Sequence, residues 1–206
     1  LDLGIAVIGM SGRYPQAADL NTFWENLKAG KDSITEVPKT RWNSDDFSEV
    51  KSASGKSMSQ WGGFIEDVDC FDPLFFRVSP RQTETMDPQE RLFLEVCWEA
   101  LEDAGYTPQN VVTPEGENGR RPVGVFVGVM HKDYTLLQNE AVYEGDVIPM
   151  SLNYAAIANR VSYFCDFHGP SLAIDTVCSA SLTAVHLAMD SLIKGDSKVA
   201  FAGGVN

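Results

Sequence analysis

The chain is poor in cysteine, and the placement of the few it has excludes two roles. Four stand among 206 residues, at Cys70, Cys97, Cys165 and Cys178. None forms a CxxC pair, which argues against a zinc site, and their scatter offers no disulfide framework. Reduced thiols of this kind fit a cytoplasmic setting. Histidine is scarcer still, at His131, His168 and His186. Positive charge is also in deficit, with 16 Lys and Arg against 29 Asp and Glu and a net charge of −13. A nucleic-acid surface needs a basic patch, and the only arginine pair, Arg120-Arg121, falls in a Pro/Gly/Asn-rich loop from Thr107 to Pro122. Nucleic-acid binding is therefore excluded. No apolar run approaches the ~18 residues of a membrane span, and the N-terminus lacks the basic-then-apolar layout of a signal peptide. The glycines of Val123 to Val129 spell neither GxGxxG nor a P-loop, which removes a nucleotide reading.

What is present is the composition of an ordinary globular chain, 44% hydrophobic and 22% charged, long enough for one large core. The apolar run Ile5 to Ile8 predicts a strand. Leu20, Phe23, Trp24 and Leu27 follow the spacing of an amphipathic helix, with Asp19 as N-cap and Gly30 as its stop. Residues 43 to 60 are polar and read as an irregular surface excursion. Asp87-Pro88-Gln89-Glu90 has the form of a capping box with proline at the first helical position, opening a helix to about Ala104. Phe93, Cys97, Ala100 and Ala104 share one face of that helix, which makes Cys97 a core residue. Val123 to Val129 predicts a strand, and residues 151 to 164 a helix interrupted by Asn159-Arg160.

The richest segment is Gly169 to Ile193. Gly169-Pro170 punctuates its start, and Ser171 to Val177 predicts a strand. From Ser179 onward Leu182, Val185, Met189, Leu192 and Ile193 recur at helical spacing, closed by Gly195 with Lys194 in the last turn. This helix is apolar nearly all round, the pattern of a helix sandwiched between two layers. Cys178 stands at the turn from strand to helix. A thiol there lies near unpaired N–H groups and the positive end of the helix dipole, which favour thiolate. A sharp elbow also lifts the side chain clear of both elements. The small neighbours Ser179, Ala180 and Ser181 leave room for a substrate, so Cys178 is the candidate catalytic nucleophile.

Asp175-Thr176-Val177-Cys178-Ser179-Ala180-Ser181-Leu182, followed by a helix carrying His186, resembles the active-site segment of β-ketoacyl synthases of modular polyketide synthases. Four further stretches match in the family's order: IAVIGMSG from Ile5, WGGFIEDVDCFDPLFF from Trp61, SPRQTETMDPQERLFLE from Ser79, and NRVSYFCDFHGP from Asn159. The resemblance covers Ile5 to Asn206. Its Trp61 segment is most similar to ketosynthases of assembly lines whose acyltransferase is a separate protein. Val177 and Ala180 depart from the family's commoner alanine and serine, which bears on substrate preference more than on chemistry.

The resemblance implies an α/β thiolase-like fold, a five-layer αβαβα stack with a mixed sheet and a buried helix after the nucleophile. It implies an acyl chain taken from an acyl carrier protein onto Cys178, then condensed with a malonyl-type extender by decarboxylative Claisen condensation. No cofactor is expected on the chain itself, since the substrates ride on the carrier's phosphopantetheine. The Cys178 backbone N–H becomes a candidate for half of an oxyanion hole. A homodimer is implied too, with Ser171 to Thr176 near its two-fold axis. Carrier proteins are usually acidic, so docking onto a chain of this charge calls for local basic residues.

The two histidines that drive condensation in the family lie in HGTGT-like and NxGH-like motifs, and neither occurs here. His186 is eight positions beyond Cys178, about 12 Å along a helix at ~1.5 Å per residue, out of hydrogen-bonding reach. It reads as a helix-face residue, and His131 and His168 as loop residues. The expectation is that residues 1–206 form the N-terminal half of a ketosynthase domain, with the histidines in a C-terminal half outside this chain. A non-elongating, carrier-binding ketosynthase is the alternative. A cysteine hydrolase is disfavoured because no histidine is placed to activate Cys178.

Overall fold

The computed structural model describes residues 4–41, 60–131, 133–135, 143 and 153–206. The surface excursion expected at 43 to 60 lies outside them except for its last residue. The chain divides into two compact units, Ser11–Val68 and Leu1–Met10 with Asp69–Asn206.

In the smaller unit, helix α1 (Leu20–Lys28) begins where expected, because the Thr22 N–H donates to Asp19 Oδ1 at 2.7 Å. That bond holds the Asp19 carboxyl below its ordinary value. The helix stops at Gly30, whose φ of +61° suits a residue without a side chain. No α1 residue is buried, but Phe23 stacks on Tyr14 with ring centroids 4.0 Å apart. Strands β1 (Thr35–Glu36) and β2 (Trp61–Gly62) pair antiparallel.

The larger unit carries helices α2 (Pro80–Thr85) and α3 (Pro88–Asp103), strand β3 (Val123–Gly128) and helix α4 (Ala155–Cys165). Strand β4 (Ser171–Ile174), helix α5 (Ala180–Lys194) and strand β5 (Val199–Gly204) follow. The three strands form one parallel sheet in the order β4-β3-β5. Every β3 residue is buried, because this central strand is covered on both faces. Val123, Val125 and Val127 point to one face, where they join Phe93, Leu94, Cys97 and Leu101 of α3 and Ile157, Ala158 and Val161 of α4. Phe126 points to the other, against Ala184 and Ala188 of α5. Period-2 alternation within one strand thus feeds two separate cores. Phe75, Phe76, Trp98 and Phe164 close the first core with ring centroids 4.8 to 6.1 Å apart.

Three expectations are corrected. Ile5 to Ile8 forms no strand among the described residues, and Val7 is 78% exposed. An apolar run becomes a strand only beside a ladder partner, and this segment has none here. Its end is nevertheless fixed, since the Met10 N–H donates to Asp103 Oδ2 at 2.8 Å. The strand expected from Ser171 to Val177 ends at Ile174, because the chain turns at Val177. The helix after Cys178 is buried only along Ala180, Ala184, Ala188 and Ser191. Its far side, with Leu182 at 77% and Ile193 at 59% exposure, has no covering layer among the described residues.

Candidate active site

Cys178 lies between the end of β4 and the start of α5 and is exposed. Parallel register brings Gly128 of β3 beside both Ile174 of β4 and Gly204 of β5, so all three strands end on the same side. Open α/β sheets place their reacting groups beyond such carboxyl ends. Two glycines permit the arrangement. A side chain at Gly128 would come within 2.6 Å of the Ala180 carbonyl carbon, and one at Gly204 within 3.1 Å of Ser181 Cβ. The first turn of α5 therefore rests directly on strand backbone.

The turn itself is built from short polar links. The Val177 N–H donates to Asp175 Oδ1 at 3.0 Å, and the Ser179 and Ala180 N–H groups donate to the Thr176 and Val177 carbonyls at 3.4 and 3.0 Å. Among the described residues the Cys178 N–H meets no such acceptor. Val177 has φ of +56°, a region that a β-branched residue seldom occupies. Three hydroxyls missed at the level of sequence, those of Thr176, Ser179 and Thr183, are linked around this turn: the Ser179 and Thr183 hydroxyls each meet Thr176 Oγ1, and the Thr183 hydroxyl donates to the Ser179 carbonyl. Their positions are spaced three and four apart, a helix-face interval that was visible in the sequence.

The other cysteines differ in kind. Cys97 and Cys165 are buried, and desolvation holds the Cys97 thiol well above its ordinary range and pushes Cys165 up to about 12. Both are therefore inert core thiols. Cys70 is exposed, in an irregular segment.

No histidine joins Cys178. His186 is exposed on α5. Nδ1 of His168 accepts from the Arg121 N–H at 3.3 Å, ahead of β3 and β4 and so at the opposite ends of the strands. Nδ1 of His131 lies 3.6 Å from Asp133, while its carbonyl accepts from Gln89 Nε2 at 3.0 Å. The Tyr154 hydroxyl donates to the Met130 carbonyl at 2.9 Å. Burial first, and then the charges of Asp175, Asp133 and Asp87, raise that phenol above its usual range. Asp175 belongs to the elbow, so Tyr154 feels the site's charge.

Glu90 does not complete a capping box. Asp87 caps α3 by accepting from the Gln89 N–H at 2.8 Å, while Glu90, 2% exposed, accepts from Arg160 Nε at 2.7 Å. Among the described residues no group of three or more His, Cys, Asp or Glu side chains could hold a metal ion, and no helix is long and apolar enough to cross a membrane.

The family model described as "Beta-ketoacyl synthase, N-terminal domain" matches residues 3–206. Polyketide synthase PksM of Bacillus subtilis is 63% identical over 202 residues, which span 98% of this chain and 5% of that protein. Polyketide synthase ThaG of Burkholderia thailandensis is 54% identical over 98% of the chain and 4% of its own length. Among solved structures, an oxazolomycin ketosynthase domain from Streptomyces albus superposes with a TM-score of 0.87 at 48% identity, covering 97% of this chain and 34% of that one. The ketosynthase from module 6 of the bacillaene synthase of Bacillus subtilis gives 0.81 at 35% identity, covering 98% and 31%. Such domains have the thiolase-like α/β fold expected from the sequence. The chain spans about a third of these solved ketosynthases and about a twentieth of the curated synthases. Parallel sheet, elbow and family match converge: the chain belongs to the β-ketoacyl synthase family and is a ketosynthase N-terminal domain of the polyketide synthase type.

Proposed function

We propose that Cys178 accepts an acyl chain from the phosphopantetheine of an acyl carrier protein and holds it as a thioester for decarboxylative condensation with a malonyl-type extender. The observation that carries this reading is an exposed thiol on a strand-to-helix elbow at the carboxyl ends of three parallel strands. In the first step the Cys178 sulfur attacks the thioester carbonyl, the carbonyl oxygen takes the electron pair, and the Cys178 N–H, which meets no acceptor among the described residues, is available to receive that oxygen. Collapse expels the pantetheine thiolate, which takes up the proton that Cys178 gave. In the second step loss of carbon dioxide from the extender leaves an enolate, which attacks the Cys178 thioester and returns the cysteine sulfur. The reading takes the proton-handling histidines from ketosynthase residues outside this chain; in its support, His186 is exposed on α5 and His168 lies at the opposite ends of the strands. The Trp61 segment favours an assembly line with a separate acyltransferase. A homodimer pairing near Ser171 to Thr176 belongs to the same reading.

The test is intact mass after mixing the ketosynthase-bearing polypeptide with an acyl-pantetheine thioester. Wild type should gain the acyl mass and Cys178→Ala should not, with the circular dichroism of the two proteins alike. An alanine variant that still accumulates acyl-enzyme sinks the assignment. Adding malonyl carrier protein then separates elongation from loading alone, which would mark a non-elongating ketosynthase.

A further inference from the structure

We propose that the hydroxyls of Thr176, Ser179 and Thr183 form a brace that positions Cys178 by holding Val177 in its left-handed conformation. The inference rests on the reading of Cys178 as the acyl-accepting nucleophile and names the residues that aim it.

The direction of the hydrogen bonds follows from counting protons. A carbonyl can only accept, so the Thr183 hydroxyl donates to the Ser179 carbonyl at 3.0 Å. Its proton is then spent, and across the 3.0 Å gap between the two threonine oxygens the donor is Thr176. The Ser179 hydroxyl lies 2.9 Å from both the Thr176 carbonyl and Thr176 Oγ1, so its one proton is shared between two acceptors on the same residue. The links run from the Ser179 hydroxyl to Thr176, from Thr176 to Thr183, and from Thr183 to the Ser179 backbone carbonyl. The residues they enclose are Val177 and Cys178.

Val177 needs such a constraint. At φ of +56° its branched Cβ crowds its own backbone. Val177 is 60% exposed, so packing does not force it there. Relaxation of Val177 to negative φ would swing the following peptide and with it the Cys178 Cα–Cβ bond. A hydroxyl ring that ties the residue before Val177 to the residue after Cys178, and both to the first turn of α5, opposes that swing. Thr176, Ser179 and Thr183 are positioning residues and do not touch substrate.

The experiment measures single-turnover acyl loading of Cys178 in the ketosynthase-bearing polypeptide. Thr176→Val and Thr183→Val keep the side-chain outline and remove one hydroxyl each, and each should slow loading about fivefold to tenfold, the effect of one lost hydrogen bond. Thr176→Ser keeps the hydroxyl and should load at the wild-type rate. Adding Val177→Gly to Thr176→Val should return loading to the rate of Val177→Gly alone, because glycine occupies positive φ without strain. A defect that arose from lost packing elsewhere would not be relieved by glycine at position 177. Hydrogen exchange at the Ser179 and Ala180 amides gives a readout independent of chemistry: faster in Thr176→Val, restored by Val177→Gly. Unchanged loading in both valine variants, or a defect that glycine does not relieve, overturns the brace. If wild type takes no acyl group the proposed function falls, and exchange alone then decides the brace, with equal rates in wild type and Thr176→Val overturning it.

Discussion

Glu90 and Arg160 join two helices through charges that are largely out of water, and the arrangement has a defined pH signature. Burial raises the Glu90 carboxyl above its ordinary 4.5, and the Arg160 hydrogen bond and charge pull it back only in part. The folded state thus holds this proton more tightly than the unfolded chain does. The group's contribution to stability is full below about pH 4.5 and declines as pH rises through the folded value. Glu90→Gln should flatten this part of the stability profile between pH 4.5 and neutrality, read as melting temperature against pH. Arg160→Met, which strands a buried carboxylate, should cost about 3–5 kcal/mol in urea denaturation. The thiols offer a second check: Cys70 and Cys178 should react promptly with a thiol reagent in the native protein, and Cys97 and Cys165 only after unfolding. The burial of Cys97 was legible in the sequence because Phe93 and Ala100 share its helix face. The pair was not read, because Glu90 also fitted a capping box. The signal was there: Glu90 stands three, four and seven positions before Phe93, Leu94 and Cys97, and Arg160 interrupts an apolar helix. Two opposite charges on two core faces call for one another.

At the scale of elements, local chemistry was read well wherever the decisive contact is close in sequence. The Asp19 cap of α1, the Asp87 cap of α3 and the Gly195 stop of α5 lie within a few residues of what they satisfy. Elements decided by distant partners were read only in part: β3 was, although both of its ladder partners are distant in sequence. Ile5 to Ile8 has strand composition and no ladder among the described residues, and β4 stops short of Val177 because the hydroxyl ring, built partly from α5, turns the chain. The contact between α5 and the strand ends is similarly non-local, and it yields a prediction. Gly128→Ala would push a methyl group against Ala180 and Ser181 backbone, within 2.5 Å of the Ser181 nitrogen. Because helix backbone cannot rotate away as a side chain can, the substitution should cost about 1–3 kcal/mol in denaturant unfolding. It should also lower the acyl-loaded fraction of protein that remains folded, since the displaced turn carries Cys178.

For the whole molecule, the dominant physical fact is an apolar stripe on α5 that the described residues leave open. Leu182, Val185, Met189 and Ile193 are 40% to 77% exposed, along with Leu172 and Val177 beside them. A surface of that kind promotes association. The 206 residues prepared alone should self-associate in light scattering and brighten an apolar dye, despite a net charge of −13. The same residues within the larger ketosynthase should do neither. A monodisperse, dye-silent monomer would show that the stripe is tolerated in water. The all-round apolar pattern of this helix was plain in the sequence; which of its faces this chain itself covers was decided by the sheet.

The strand order β4-β3-β5 also sets a schedule. The central strand is the first of the three to be synthesised, and its two neighbours are added from later sequence. Val125 waits for Ser171 and Val123 for Val199, separations that make closure slow relative to local helix formation. Until then Val123 to Gly128 is a fully apolar ribbon with both edges bare, the form in which nascent chains meet chaperones or each other. The nucleophile's turn matures only after that wait, because the strand that enters it and the strand end that supports it both depend on β3. The turn that carries Cys178 therefore forms only after the three strands have paired.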